Sequence, residues 1–384
     1  MNLIDSTEKL EDFCHLLETK SFITVDSEFL REHSYYPRLC LLQVACEGAS
    51  AVIDPLAHVD LTPFFEVLQN KNIVKVFHAG RQDVEIFYNL MGKLPQNIFD
   101  TQIAAMVCGF GENVSYGTLV KEITSVELDK SCRLTDWSLR PLDEEQLEYA
   151  LHDVTYLVDC YKYLCKKMEA DNRFGWIEDE TTALYDEKCY HTEPDEAWHR
   201  IRHNIYGLQF LSALKYLAKW REIRAQKFNT PRQSIIKDEV LLNLASSRPS
   251  NQAELKQVRN LKSDVINGRL GGEILEALEE AKNHPLSTEE CKKDRNNDIK
   301  ILPQEQNLLE VLKFLLKLQS IDHEVVSRLV ASDDDLRYFV RGDYEKTAIM
   351  NGWRYEIFGK YAVKLKNGEL SISYDNVNKR VKIG

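Results

Sequence analysis

The hydrophobic pattern changes character once along the chain, and that change limits the folds open to it. As far as about residue 175, short strand-like apolar runs alternate with helical stretches; from about Arg200 onward only helical periodicity remains. FITVDSEF (22–29) alternates apolar and polar residues, and RLCLLQVA (38–45) followed by SAVID (50–54) reads as two further strands around Glu47-Gly48-Ala49. DLTPFFEVLQN (60–70) is an amphipathic helix with Asp60 or Thr62 as its cap. IVKVFH (73–78) is a short buried strand, and GRQDVEIFYNLMG (80–92) starts the next helix. Further helices begin at Asp100, near Ser115, and at Asp143, the last running to about Met168. Three antiparallel strands followed by alternating helices and strands predict a mixed α/β sheet, compatible with a ribonuclease-H-like fold. Fold alone licenses no function.

At 384 residues the chain is too long for one growing core, so two or three domains are expected. Domain one spans 1–175, an acidic connector 176–204, and a helical unit 205–285. A polar, proline-bracketed linker at 286–303 precedes a second helical unit with a tail, 304–384. The tail, KYAVKLKNGELSISYDN, predicts a small hairpin around Asn367-Gly368. MNLIDSTEKLEDF lacks the pattern of a secretory signal, and no apolar run of about 18 residues is present, so a cytoplasmic protein with no membrane partner is expected. Nine cysteines without a C-x-x-C pair point to reduced thiols rather than a disulfide framework or a zinc site.

A net charge of −12 argues against a nucleic-acid partner, but the charge is unevenly spread. From Asp143 to Glu196 there are sixteen acids against five bases; from Arg200 to Arg232 there are eight bases against one acid, Glu222. That basic stripe reads equally as a solvated helix face and as a binding surface.

Asp26 and Glu28 stand two apart on the first predicted strand, so both carboxylates project from one face, a geometry suited to a shared metal. On an exposed strand such a pair is ordinary solvation. Here Val25, Phe29 and the preceding apolar run predict a central strand, where adjacent like charges are costly unless cations neutralise them. Asp83 lies in the first turn of a helix, where an acid also serves to offset the helix dipole. Tyr149 and Asp153 are four apart on one helix face, a spacing at which tyrosine is ordinarily core packing.

Taken together, VDSEFLREHSYYPRLCLLQVA, FHAGRQDVEIF, FDTQIAA and LTDWSLRPLDEEQLEYALHDVTYL resemble, almost segment for segment, the ribonuclease D family of DEDD exonucleases in its tyrosine-bearing subclass. The resemblance covers about residues 1–170 and implies that Asp26, Glu28, Asp83 and Asp153 bind metal and that Tyr149 belongs to the Y-x-x-x-D element of the subclass. The chemistry accords with the residue types. Two divalent ions about 4 Å apart clamp the attacking and leaving oxygens of an in-line displacement, and carboxylate oxygens suit Mg²⁺ or Mn²⁺ rather than zinc. A phenol with a pKa near 10 is a poor base at neutral pH, so Tyr149 is expected to position the attacking water.

Around these five, Phe29 is a candidate to press on the terminal base, and Gln43 and His78 to touch sugar or phosphate; each also reads as core or scaffold. Arg140, just ahead of the helix bearing Tyr149, is a candidate phosphate contact against which a structural ion pair competes equally. Asp100 reads as an N-cap and Trp137 as packing.

Farther on, LQFLSALKYLAKWREIRAQKFNTPRQSIIKDEVLLNLASSRPSNQAELKQV resembles the HRDC domain, a helical module that helps such enzymes grip RNA. Residues 304–375 resemble a second, divergent HRDC unit that ends in NGWRYEIFG. No G-x-x-x-x-G-K-[ST] occurs, so the helicase setting of such modules is set aside. The resemblance thus implies a ribonuclease-H-like α/β exonuclease domain followed by all-α HRDC-type domains. Its expected activity is 3′→5′ trimming of transfer-RNA precursors and other small structured RNAs to release 5′-mononucleotides, with no obligate protein partner. The rivals are a DNA-directed exonuclease of the same superfamily and a catalytically inactive RNA-binding scaffold.

Overall fold

A computed structural model of the protein describes residues 3–384 except 130, 183, 185, 296–298 and 300. Its first unit is a six-stranded mixed sheet. In chain order the elements are β1 (Leu3–Ile4), α1 (Thr7–Leu17), β2 (Phe22–Leu30), β3 (Arg38–Cys46), β4 (Ala49–Ile53), α2 (Thr62–Gln69), β5 (Val74–Phe77), α3 (Arg81–Met91), β6 (Ile98–Asp100), α4 (Thr101–Val107), α5 (Tyr116–Thr124) and α6 (Glu144–Ala170). The sheet order is β1-β4-β3-β2-β5-β6, with β2–β3 and β3–β4 antiparallel and β1–β4, β2–β5 and β5–β6 parallel. The β3–β4 hairpin turns on Glu47 and Gly48, whose φ of 85° favours glycine. Three helix starts follow the expected caps: Asp100, Ser115 and Asp143 each accept a backbone N–H, and Gln146 closes a capping box with Asp143; α2 does not, its N-cap being Leu61 with no side-chain bond, while Asp60 accepts from the Thr62 N–H at 2.9 Å.

The strand periodicity of β2 divides the core. Ile23 and Val25 face one layer with α1, α2 and α3, represented by Leu10, Phe64 and Phe87. Phe22 faces the other layer, with α4, α5 and α6, and Thr24 on that side donates to the Val154 carbonyl of α6 at 2.8 Å. Asp26 and Glu28 continue the Thr24 face and so lie beneath α6.

Beyond α6, a short helix α7 (Glu178–Thr182) leads to the second unit: α8 (Leu208–Lys227), α9 (Arg232–Ile235), α10 (Asp238–Ser247), α11 (Gln252–Leu255), α12 (Ser263–Asn267) and α13 (Arg269–Asn283). Its core runs from Ala197, Trp198 and Ile201 to Leu286, so the end of the expected connector is packed into this unit. Within the expected linker, α14 (Thr288–Arg295) forms and Glu290 pairs with Lys215 at 3.5 Å; residues 296–298 and 300 lie outside the described residues.

The last unit contains α15 (Pro303–Asp322), α16 (Ser327–Val330), α17 (Asp333–Arg341), α18 (Gly352–Arg354) and α19 (Lys360–Lys366). It has no separate core: Leu312, Leu315, Phe339 and Phe358 share one cluster with Val107, Leu119, Leu164 and Met168 of the sheet domain. Trp176 stacks on Trp353 at 4.4 Å across the same junction. The tail hairpin is β7 (Ile372–Asp375) with β8 (Arg380–Ile383). It turns at 376–379 rather than at Asn367-Gly368, which instead end α19, Gly368 with a φ of 76°.

The basic stripe is partly neutralised. Lys215, Lys219, Arg221, Arg224 and Arg232 pair with Glu290, Asp195, Asp238, Glu273 and Glu222 respectively, so five of its eight cations are held by acids, four of them from outside the stripe. The stripe is therefore less one-sided in the fold than in the sequence. No helix among the described residues is long and apolar enough to cross a membrane, and all nine cysteines are free thiols.

Candidate active site

The site forms where β2 outruns its parallel neighbour. β5 pairs with β2 only from Phe22 to Thr24, so the Asp26–Glu28 stretch projects past the carboxyl end of β5. Into that opening the chain turns from β5 into the N-terminus of α3, which carries Asp83. Asp100, at the carboxyl end of β6, builds the turn: it accepts from the Ala79 and Gly80 N–H groups at 3.1 and 2.9 Å and from Gln102 at 2.8 Å. A β-bulge between Glu28 and Phe29 shifts the register against β3, re-aiming the end of β2. From above, α6 contributes Tyr149 and Asp153, one turn apart.

Oxygens of Asp26, Glu28 and Asp153 lie within 4.8 Å of one another, and all three side chains are half-buried. Asp83, only 7% exposed, stands beside them with one oxygen accepting from the Ser27 hydroxyl. Ser27 escaped the sequence analysis. Period-two alternation points it away from Asp26 and Glu28 and toward the α3 side, but nothing local pairs it with a residue 56 positions on.

Crowding of acids out of bulk water dominates the electrostatics. Burial, then the charge of Asp153, pushes Asp26 up to about 8; burial, then Asp26, pushes Glu28 to about 9. Burial alone takes Asp153 to about 7, against the opposing hydrogen bond from Tyr149, while burial and Asp26 raise Asp83 well above the usual carboxylate range. Burial, then Asp153, pushes the Tyr149 phenol up, so it is a neutral hydroxyl. Its ring lies 6.0 Å from that of the buried Trp137. An all-oxygen donor set whose members resist ionisation together is what a divalent cation relieves, and these residues fit one.

The outlying candidates fall differently. Gln43 is opposite Asp26 in the β2–β3 ladder, yet it is 0% exposed with neither amide atom hydrogen-bonded, so it is a core residue that a substrate does not reach. His78 has Nδ1 3.0 Å from the Thr101 hydroxyl and Nε2 3.1 Å from the Val114 carbonyl, which makes it scaffold. Arg140 has all five N–H donors taken: a bidentate pair with Asp54 at 2.7 Å and bonds to the Cys40, Trp137 and Leu139 carbonyls. The ion-pair alternative holds for Arg140, and no donor is left for a phosphate. Phe29, at the bulge, remains half-exposed beside Glu28.

Fold and site together define a 3′→5′ exonuclease domain joined to an HRDC module. Residues 1–169 match the family model described as 3′-5′ exonuclease, and residues 210–278 match that of the HRDC domain. Ribonuclease D of Bartonella henselae is 40% identical over 98% of this chain and 92% of its own length. Ribonuclease D of Zymomonas mobilis is 42% identical over 97% and 95% respectively. The crystal structure of Escherichia coli RNase D, described as an exoribonuclease involved in structured RNA processing, superposes with a TM-score of 0.81 at 28% identity, covering 96% of this chain and 99% of that one. The chain belongs to the ribonuclease D family, and its activity is that of a 3′→5′ exoribonuclease.

Proposed function

We propose that this enzyme trims the 3′ ends of transfer-RNA precursors and other small structured RNAs in the cytoplasm, releasing 5′-mononucleotides. Asp26, Glu28, Asp83 and Asp153 would hold two divalent ions, Mg²⁺ or Mn²⁺. The observation that carries the assignment is the meeting of Asp26, Glu28 and Asp153 within 4.8 Å, beside Asp83, at pKa values of about 8, 9 and 7 for the first three. Bound there, the ions supply a clamp for the attacking and leaving oxygens of the phosphodiester. Tyr149, neutral and hydrogen-bonded to Asp153, orients the attacking water rather than taking its proton. Phe29 supports the terminal base from the bulge. The 304–384 helices serve as a second, divergent HRDC unit, and no obligate protein partner is required.

The test is a 3′-extended transfer RNA offered with Mg²⁺, with Mn²⁺ and with EDTA, alongside matched RNA and DNA oligonucleotides. Mononucleotide release from RNA that EDTA abolishes is expected. Equal rates on DNA would reassign the substrate, and no release with either metal would leave an RNA-binding scaffold.

A further inference from the structure

The HRDC core touches the catalytic domain through a closed polar cluster. Glu222, on α8, is 1% exposed and accepts from Arg232 Nη2 at 2.7 Å and from the Tyr35 hydroxyl. The Tyr35 oxygen in turn accepts from Arg232 Nη2 at 2.8 Å, and the guanidinium lies 4.6 Å over the Tyr35 ring. Gln226 and Thr192 close the remaining sides, with Gln226 Nε2 donating to the Thr192 carbonyl at 2.8 Å and to Glu222 at 3.2 Å. Asn229 adds a bond from the Tyr36 N–H at 2.9 Å. Burial alone would push Glu222 up, but the hydrogen bonds from Arg232 and Tyr35 outweigh it and hold the carboxyl below its usual range. The cluster is therefore a satisfied network in which losing Arg232 would leave the buried Glu222 charge without its counter-ion.

Its position gives it a second consequence. Tyr35 and Tyr36 belong to the β2–β3 loop, which leaves β2 directly after Glu28, the bulge and Leu30. Arg31, the first residue of that loop, forms a bidentate pair with Glu85 of α3 at 2.8 and 2.7 Å. Glu85 is two residues from Asp83, and its charge is felt at Arg232. The loop is thus pinned at one end to the helix bearing Asp83 and farther along to the HRDC core. Beyond the bulge only two pairs, Phe29–Leu39 and Leu30–Arg38, hold β2 to β3 before the loop begins, so the direction of this strand end depends also on how the loop is held.

We propose that Tyr35, Glu222 and Arg232, acting through the β2–β3 loop and the Arg31–Glu85 pair, are positioning residues for the carboxylates Glu28 and Asp83. The HRDC module is in this respect part of the active-site scaffold. The inference rests on the site assignment proposed above, and its tests separate the two.

The test compares Tyr35→Phe, Arg31→Gln and their double variant in the full-length protein. Tyr35→Phe keeps the ring, removes only the hydroxyl, and leaves every proposed metal ligand in place. Single-turnover release at saturating RNA is expected to fall about fivefold or more in each single variant, because small misplacements of reacting groups are costly. RNA affinity measured in Ca²⁺ should stay within about twofold, and the double variant should be no worse than the poorer single, since both act on one chain of contacts. Independently of turnover, the Mn²⁺ concentration giving half the maximal rise in Tm should increase about threefold or more. Unchanged rate and Mn²⁺ response would make the cluster purely structural; additive losses, or a change in RNA affinity alone, would equally overturn the positioning role. If the wild type released no nucleotides, the exonuclease assignment would fail while the Mn²⁺ melting series still decided the positioning one.

Discussion

Stripped of metal, the protein should lose stability as pH rises from 6 to 8, in contrast to the usual behaviour of acidic residues. In the unfolded chain Asp26, Glu28 and Asp153 release their protons near pH 4. In the folded chain they hold them to about 8, 9 and 7, because ionising them together in a half-buried cluster is unfavourable. A raised folded pKa means that the native state binds more protons than the unfolded state throughout this window, so each unit of pH favours unfolding. Counting only one extra proton as a lower bound, the loss is about 1.4 kcal/mol per pH unit, or about 3 kcal/mol between pH 6 and 8. For a domain of this size that corresponds to a fall in Tm of about 5–10 °C. Thermal melts in EDTA at pH 6, 7 and 8 measure it, with Asp26→Asn as the control: the near-isosteric amide removes one titrating charge, should flatten the slope, and should raise Tm at pH 8. Saturating Mn²⁺ should flatten the wild-type slope too, since metal binding favours the deprotonated ligands. Parallel slopes for wild type and Asp26→Asn in EDTA would refute the electrostatic account of the cluster.

Tyr149→Phe should cut the single-turnover rate by roughly 10²-fold with Tm and RNA affinity in Ca²⁺ unchanged, the contribution of a group that positions a reacting water; a rate within about threefold of wild type would make the tyrosine structural. Arg140→Ala should destabilise the fold by about 3 kcal/mol, because it strands the buried Asp54 carboxylate and three carbonyls, yet leave the salt dependence of RNA binding unaltered. A shallower salt slope would restore a phosphate-contacting role. Deleting residues 303–384 should yield a catalytic domain that aggregates, since Leu119 and Met168 lose Leu312, Phe339 and Phe358 from a shared core; a monodisperse truncated protein with wild-type Tm would show that the core divides cleanly.

Short-range geometry was legible in the residues themselves. A period of two sets Asp26 and Glu28 on one face of β2, and a spacing of four sets Tyr149 and Asp153 on one face of α6, whatever lies opposite. Asp100, Ser115 and Asp143 announced helix starts because a cap acts within three residues. What the long polar side chains do was decided only in three dimensions. Arg140 meets Asp54 across 86 residues, Tyr35 meets Glu222 across 187, and five cations of the basic stripe meet acids, so its one-sided charge in the sequence is partly offset in the fold. The same holds for the apolar faces of the last helices: their periodicity announced that they must be buried, but not that the catalytic domain would bury them. Periodicity is a property of one backbone segment, whereas a partner is chosen by the packing of segments far apart in the chain, and that choice is also what sets Asp83 against Ser27, where its charge is felt by Asp26 and Glu28.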